Sequence, residues 1–221
     1  MNNTILNVNW YKCFSKQQEY SEHQMILLDF KKNYILDNGF VQLRPLQADD
    51  FKYLLPYSMN EPDLWKYSLI PANGEENLRN YLTIATEGRA EEKAYPFIVY
   101  DKRFNMYAGV TRFYDFNQTH DTVSLGYTWY GKDFHGTGLN KNCKFLLLQF
   151  AFEHMKVQRV EFRADNKNKR SIAAMKSIGC TEEGILRSNC ATEDGRRDSI
   201  VLSILRYEWF SRVKRKLLQK L

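Results

Sequence analysis

Two hydrophobic periods divide the chain. Residues 40–43 alternate apolar and polar, the two-residue period of a short strand, and residues 47–50 open a helix with acids in its first turn. Residues 75–87 follow the helical period, with an aromatic, proline-containing loop between the two helices. Three strand-like runs come next, at 95–101, 107–116 and 122–130, joined so tightly that they must be antiparallel neighbours. Residues 139–155 carry the clearest helical pattern: Leu139, Cys143, Leu146, Leu147 and Phe150 share one face, Asn140, Lys141, Lys144 and Glu153 the other. That pattern predicts a half-buried crossover helix. Residues 157–164 read as a strand and 169–178 as a short helix ended by Gly179. The last pair, 184–188 and 199–205, is expected to fold back around Asp194-Gly195. The predicted order is β-α-α-β-β-β-α-β-α-β-β, an α/β chain of the α+β kind without internal repeats.

Composition matters mainly at the two ends. A chain of 221 residues, 43% hydrophobic and 14% aromatic, can bury one substantial core. Residues 1–24 are polar and show neither period, so they read as an extension, with Met25 as the expected natural start, and 25–209 as the folded domain. The formal charge is +6, of which residues 206–221 supply +5 through six Lys/Arg against Glu208. A nucleic-acid-binding body carries its basic stripe through the folded part. Nucleic acid is therefore not an expected partner, apart from ribosome contact through the basic tail, 210–221, where Phe210, Val213, Leu217, Leu218 and Leu221 interleave with cations as in an amphipathic helix. Cys13, Cys143, Cys180 and Cys190 form no C-x-x-C pair, and no histidine stands at ligand spacing from them, so reduced thiols and no metal are expected. No apolar stretch of about 20 residues predicts a membrane span, and the N-terminus has no signal-peptide pattern; the expected compartment is the cytoplasm.

The candidate chemistry lies at 134–140, Phe-His-Gly-Thr-Gly-Leu-Asn, between a strand and a helix. Backbone N–H groups at such a helix start face outward together and bind phosphate oxygens. Gly136 and Gly138 allow close approach, Thr137 adds a hydroxyl donor, and His135 and Lys141 add charge. Two glycines can also simply turn a strand into a helix. A dinucleotide-binding loop would need a third glycine where Lys141 stands, and parallel rather than antiparallel strands before it. A P-loop is excluded because no Gly-Lys-Ser/Thr follows.

From about Phe40 to Trp209 the sequence resembles the GNAT superfamily of acetyltransferases, in particular the ribosomal-protein serine and alanine N-acetyltransferases. That family's pyrophosphate loop, Gln/Arg-x-x-Gly-x-Gly/Ala, aligns on His135, Gly138 and Asn140, departing at the first and last positions. Asp165-Asn166-Lys167-Asn168-Lys169-Arg170-Ser171 is similar to its Asn-x-x-Ser segment, and Glu183-Gly184-Ile185-Leu186-Arg187 to its G-x-L-R strand. The resemblance implies a mixed, mostly antiparallel central sheet with helices on both faces. It also implies acetyl-CoA as cosubstrate, held by Tyr127, Thr128 and Trp129 on a splayed strand and by His135, Gly136, Thr137, Gly138, Leu139 and Asn140 in the loop. Asn168 would hydrogen-bond the pantetheine, and Ser171 would give a proton to the leaving thiolate. Both are equally good helix N-caps.

Direct attack by an amine on a thioester needs an uncharged amine. An α-amino group, with a pKa of about 8, is partly neutral already, whereas lysine needs roughly 3 units, or about 4 kcal/mol, of help. No paired carboxylates or obligatory histidine offer a strong base. Glu61, in the loop expected to line the acceptor pocket, could act through a water or be plain solvated charge, and Trp65 and Tyr67 could cover the core. The expected acceptor is a primary amine, first a protein N-terminus and second a polyamine, aminoglycoside or amino acid. A CoA-binding module without transfer is the rival reading, and a homodimer stays open.

Overall fold

A computed structural model describes residues 26, 28–192 and 195–221. The expected extension at 1–24, Met25, Cys13 and Asp194 of the last turn lie outside the described residues. Eight strands, β1 (Leu36–Asp37), β2 (Val41–Pro45), β3 (Ala94–Asp101), β4 (Met106–Asn117), β5 (Thr122–Tyr130), β6 (Arg159–Asp165), β7 (Thr181–Thr192) and β8 (Gly195–Leu205), form one sheet in the order β1-β2-β3-β4-β5-β6-β8-β7. Every neighbouring pair is antiparallel except β5 and β6. The helices are α1 (Phe51–Asn60), α2 (Glu75–Ala90), α3 (Leu139–Gln149), α4 (Lys169–Ser177) and a C-terminal α5 built from Arg206–Glu208, a π segment Trp209–Val213 and Lys214–Leu218.

The run Ala94–Val99 in β3 is buried at every position, because helices cover both faces of the sheet there. Side-chain alternation sorts the neighbours. Arg112 of β4 and Trp129 of β5 meet Tyr81 of α2, whereas Thr111 and Thr128, one residue away on each strand, meet Lys144 of α3. α2 and α3 therefore lie on opposite faces.

The half-buried crossover helix expected at 139–155 differs in two ways. Its last turn, Phe150–His154, is a π segment. Asn142, Lys144, Phe145 and Leu148, off the predicted apolar face, are buried as well. Lys144 turns onto the sheet at Thr111 and Thr128 and Asn142 accepts from Asn38 (2.9 Å), while α5 covers the outer side of α3: Trp209 is fully buried, with its ring 5.8 Å from Phe145 and 5.7 Å from Phe152. Val213 and Leu217 are buried with it, and three basic residues of this segment are engaged internally, Arg212 with Glu208, Lys214 with Glu153 and Lys220 with the Ser177 carbonyl.

β5 carries an irregularity at its centre. Gly126 pairs with Arg112 and Trp129 with Val110, so Tyr127 and Thr128 together oppose Thr111. This is a β-bulge, and Tyr127 takes φ 50°, left-handed backbone that a bulky aromatic residue adopts only when its surroundings impose it. A bulged strand bends. The pairing of β5 with β6 ends at Ser124 opposite Glu161, and beyond that point the two strands diverge.

Candidate active site

Four segments converge around the end of β5. The first is the start of α3, where the N-cap Gly138 has φ 89° and Gly136 has φ 77°. Glycine tolerates this conformation, and a Cβ at either position would meet nothing within 4 Å, so the turn faces open space. The first helical hydrogen bond runs from the Asn142 amide to the Gly138 carbonyl (3.2 Å), and the amides of Gly138, Asn140 and Lys141 have no acceptor among the described residues. Together with the helix dipole they form an anion cradle made of backbone. The Leu139 side chain is fully buried, and its amide donates to the Thr137 hydroxyl oxygen (3.4 Å). The Thr137 hydroxyl, an expected donor to the anion, donates instead to the Phe134 carbonyl (2.9 Å), which the tight turn brings within reach.

His135 also differs from its expected part. Its Nε2 lies 2.9 Å from the Tyr130 carbonyl and its Nδ1 3.1 Å from Nη1 of Arg170. A guanidinium can only donate, so Nδ1 accepts and Nε2 carries the hydrogen to Tyr130. Burial, aided by Arg170, holds the imidazole pKa below its usual value and keeps the ring neutral. Both ring nitrogens are thus engaged in tying the loop to α4, and Arg170 is the cation left beside it. From the β3–β4 turn, Arg103 donates to the Thr137 carbonyl (2.8 Å) while paired with the fully buried Asp101 (2.6 Å). Glu61 closes the ring of contacts by accepting from the Lys132 amide (2.7 Å). The sequence reading missed Arg103 and Arg170, which nothing but proximity in the fold distinguishes from other surface cations.

At the start of α4, the Asn168 side-chain oxygen caps the Ser171 amide (3.0 Å), which leaves its Nδ2 free to donate elsewhere. The Ser171 hydroxyl makes no hydrogen bond among the described residues. The contact between His135 and Arg170 sets this helix start beside the cradle. Across the gap on β5, packing takes up all three side chains at the bulge. Tyr127 stacks under Arg112, Thr128 bonds Lys144, and Trp129 sits against Trp65 at 5.0 Å between ring centres. Only backbone is left there for a ligand.

Two buried cations flank this stretch of β5. Lys144, 5% exposed, donates to the hydroxyls of Thr128 (2.8 Å) and Thr111 (3.4 Å), and burial pushes its pKa down to about 8. Arg112, 4% exposed, lies 3.6 Å over the Tyr127 ring and 5.3 Å over Tyr81; its Nε and Nη2 are buried without an acceptor among the described residues. A buried unpaired charge costs several kcal/mol, and a desolvated cation–π contact returns about 2. The described residues leave Arg112 under-compensated. On the far side of the gap, Arg197 of β8 reaches the Tyr67 carbonyl (3.4 Å) through Nη1 while its Nε, the Trp65 Nε1 and the Ser199 hydroxyl are also buried without partners among the described residues.

A sequence profile described as an acetyltransferase (GNAT) domain matches residues 41–181. The chain is similar to a Bacillus subtilis (strain 168) protein named "Putative ribosomal N-acetyltransferase YdaF", with 30% identity over 101 residues, 46% of this chain and 55% of that protein. Among solved structures it is similar to a GCN5-related N-acetyltransferase from Brucella melitensis, with TM-score 0.80 and 20% identity over 89% of this chain and 88% of that one. It is also similar to the microcin C7 self-immunity acetyltransferase MccE, solved with acetyl-CoA and AMP, with TM-score 0.67 and 22% identity over 76% and 93% of the two chains. A strand bulged and parted from its parallel neighbour, an open amide cradle one turn beyond it, and a profile match across most of the sheet belong together: the chain is a member of the GNAT acetyltransferase family.

Proposed function

We propose that the protein transfers the acetyl group of acetyl-CoA to a primary amine, with a protein N-terminal α-amino group as the leading acceptor and a small amine as the second. The observation that carries this is the alignment of the amide cradle at Gly138–Lys141 with the gap between β5 and β6. The cradle holds the pyrophosphate of CoA, and the pantetheine runs into the gap against the backbone of Tyr127, Thr128 and Trp129 and the free Nδ2 of Asn168. Proximity and orientation do most of the work, because the reaction is a direct attack of amine on thioester. Ser171 gives its hydroxyl proton to the departing thiolate. Glu61, anchored on the Lys132 amide, acts as base only through a water, which suits an α-amine better than a lysine.

The test is release of free thiol from acetyl-CoA against N-terminal peptides, polyamines, aminoglycosides and amino acids, together with calorimetric binding of CoA. Turnover on at least one amine is expected. Gly138→Val should abolish CoA binding, since it strains left-handed backbone and fills the cradle. CoA binding without turnover on any amine would instead make the chain a binding module.

A further inference from the structure

The unpartnered donors on the α2 face of the sheet have a common chemistry. Arg112, Arg197 and Trp65 all present N–H groups, and no carboxylate is paired with either arginine among the described residues. Arg112 lies on β4 across from Gly126, at the strand position just before the bulge, so its guanidinium stands over the stretch of β5 that borders the gap. The Trp65–Tyr67 segment packs on Trp129 at one end and receives Arg197 at the other, which places Arg197 on the same face, beyond the gap. A group of unpartnered buried donors that includes two guanidiniums, with Arg112 held between aromatic rings, repels a bare polycation and suits an oxyanion. The phosphates of CoA do not meet that need. Their cradle begins past Tyr130, more than about 10 Å along the chain from Gly126 at the rise of a strand.

We infer that the amine acceptor carries its own oxyanion, a carboxylate or phosphate close to the reacting amine, and that Arg112 receives it, with Arg197 as the second donor. The inference rests on the acetyl-transfer reading and narrows its acceptor. It favours an amino acid, an aminoalkyl phosphate or a peptide with an acidic residue near its N-terminus over a polyamine or aminoglycoside. Arg112 is then a specificity determinant that touches substrate. The competing use of the same guanidinium is to stabilise the oxyanion of the tetrahedral intermediate, and the two uses leave different kinetic marks.

The experiment pairs amines that differ only in the anion: an amino acid with its amide, ethanolamine phosphate with ethanolamine, and short peptides with acidic or neutral second residues. For wild-type protein, kcat/KM should favour the anionic member by about ten- to a hundredfold, the range of a charged hydrogen-bonded contact. Whichever pair shows the preference identifies the source of the anion. Arg112→Met should bring that ratio near 1 mainly by raising KM for the anionic member, and Arg112→Lys should restore part of it. Retained CoA binding by both variants shows that they fold. No preference in the wild type, or an equal fall in kcat for anionic and neutral amines in Arg112→Met, overturns the inference. If no amine is turned over, it is the transfer reading that fails. The anion site is then read by thermal protection with inorganic phosphate, which should be seen in the wild type and absent from Arg112→Met; no protection of the wild type overturns it.

Discussion

Lys144 and Arg112 are both more than nine-tenths buried, and their contacts meet at adjacent residues of β4, Thr111 and Arg112, on opposite faces of the sheet. The lysine lies in a protein-filled interior. Two hydroxyls accept from it, and an ammonium pushed down to about 8 can shed its proton when charge becomes too costly. The arginine has no such exit, because a guanidinium stays charged at any physiological pH. It has aromatic faces in place of acceptors. One cation is completed by the fold and the other is left for something that binds. Burial alone does not separate a structural charge from a functional one; the availability of an acceptor and of a neutral form does.

The largest effect expected from this contrast is a pH dependence. With a folded pKa of about 8 against an ordinary 10.5, Lys144 destabilises the fold fully below pH 8. Between pH 8 and 10.5 the unfolded chain binds more protons than the folded one, so stability rises, by roughly 3 kcal/mol in all. Cys143, its thiol pushed up to about 12 by burial, acts in the opposite direction over the upper part of the range. The lysine contribution is therefore the difference between wild type and Lys144→Met in urea unfolding measured at several pH values. A flat difference would mean that the Lys144 ammonium is fully compensated by its hydroxyl partners and sheds no proton over this range.

Next in size, Arg112→Met should raise the stability of the ligand-free chain by about 2 kcal/mol, since it replaces an unpaired buried charge with an apolar side chain of similar volume. Loss of stability in urea unfolding would make Arg112 a structural part and dissolve the comparison. The smallest effect belongs to Thr128→Val, which removes the nearer hydroxyl on Lys144. It should cost about 1 kcal/mol at pH 7 and lower the midpoint of the lysine titration, read in the same unfolding series.

Much of the frame could be read from sequence, because β3, β4 and β5 alternate clearly and the cradle glycines stand between a strand and a helix. The failures have a shared physical cause. Helical period placed Lys144 on a solvent face, but its side chain turns onto the sheet to Thr111 and Thr128, and the outer face at Phe145 is covered by α5, a segment over 50 residues further along the chain. His135 and Thr137 were assigned by residue type as donors to a phosphate, yet local acceptors, the Tyr130 and Phe134 carbonyls, reach them first. Arg112 gave no signal, since one cation in the run Val110-Thr111-Arg112-Phe113-Tyr114 is unremarkable until the strand's two faces are told apart. Its inward parity, shared with Val110 and Tyr114, is the clue that could have found it.

Tyr127 shows how little chain separates a binding strand from a plain one. If that single residue were deleted, Thr128 would fall opposite Thr111 and Trp129 would keep its place opposite Val110, giving a regular antiparallel ladder from Gly109 to Tyr114. No identity at any other position would need to change. The opening beside β6 is thus encoded as an insertion, a matter of count, and relatives of this chain are better compared by the number of residues between Gly126 and Trp129 than by which residues they are.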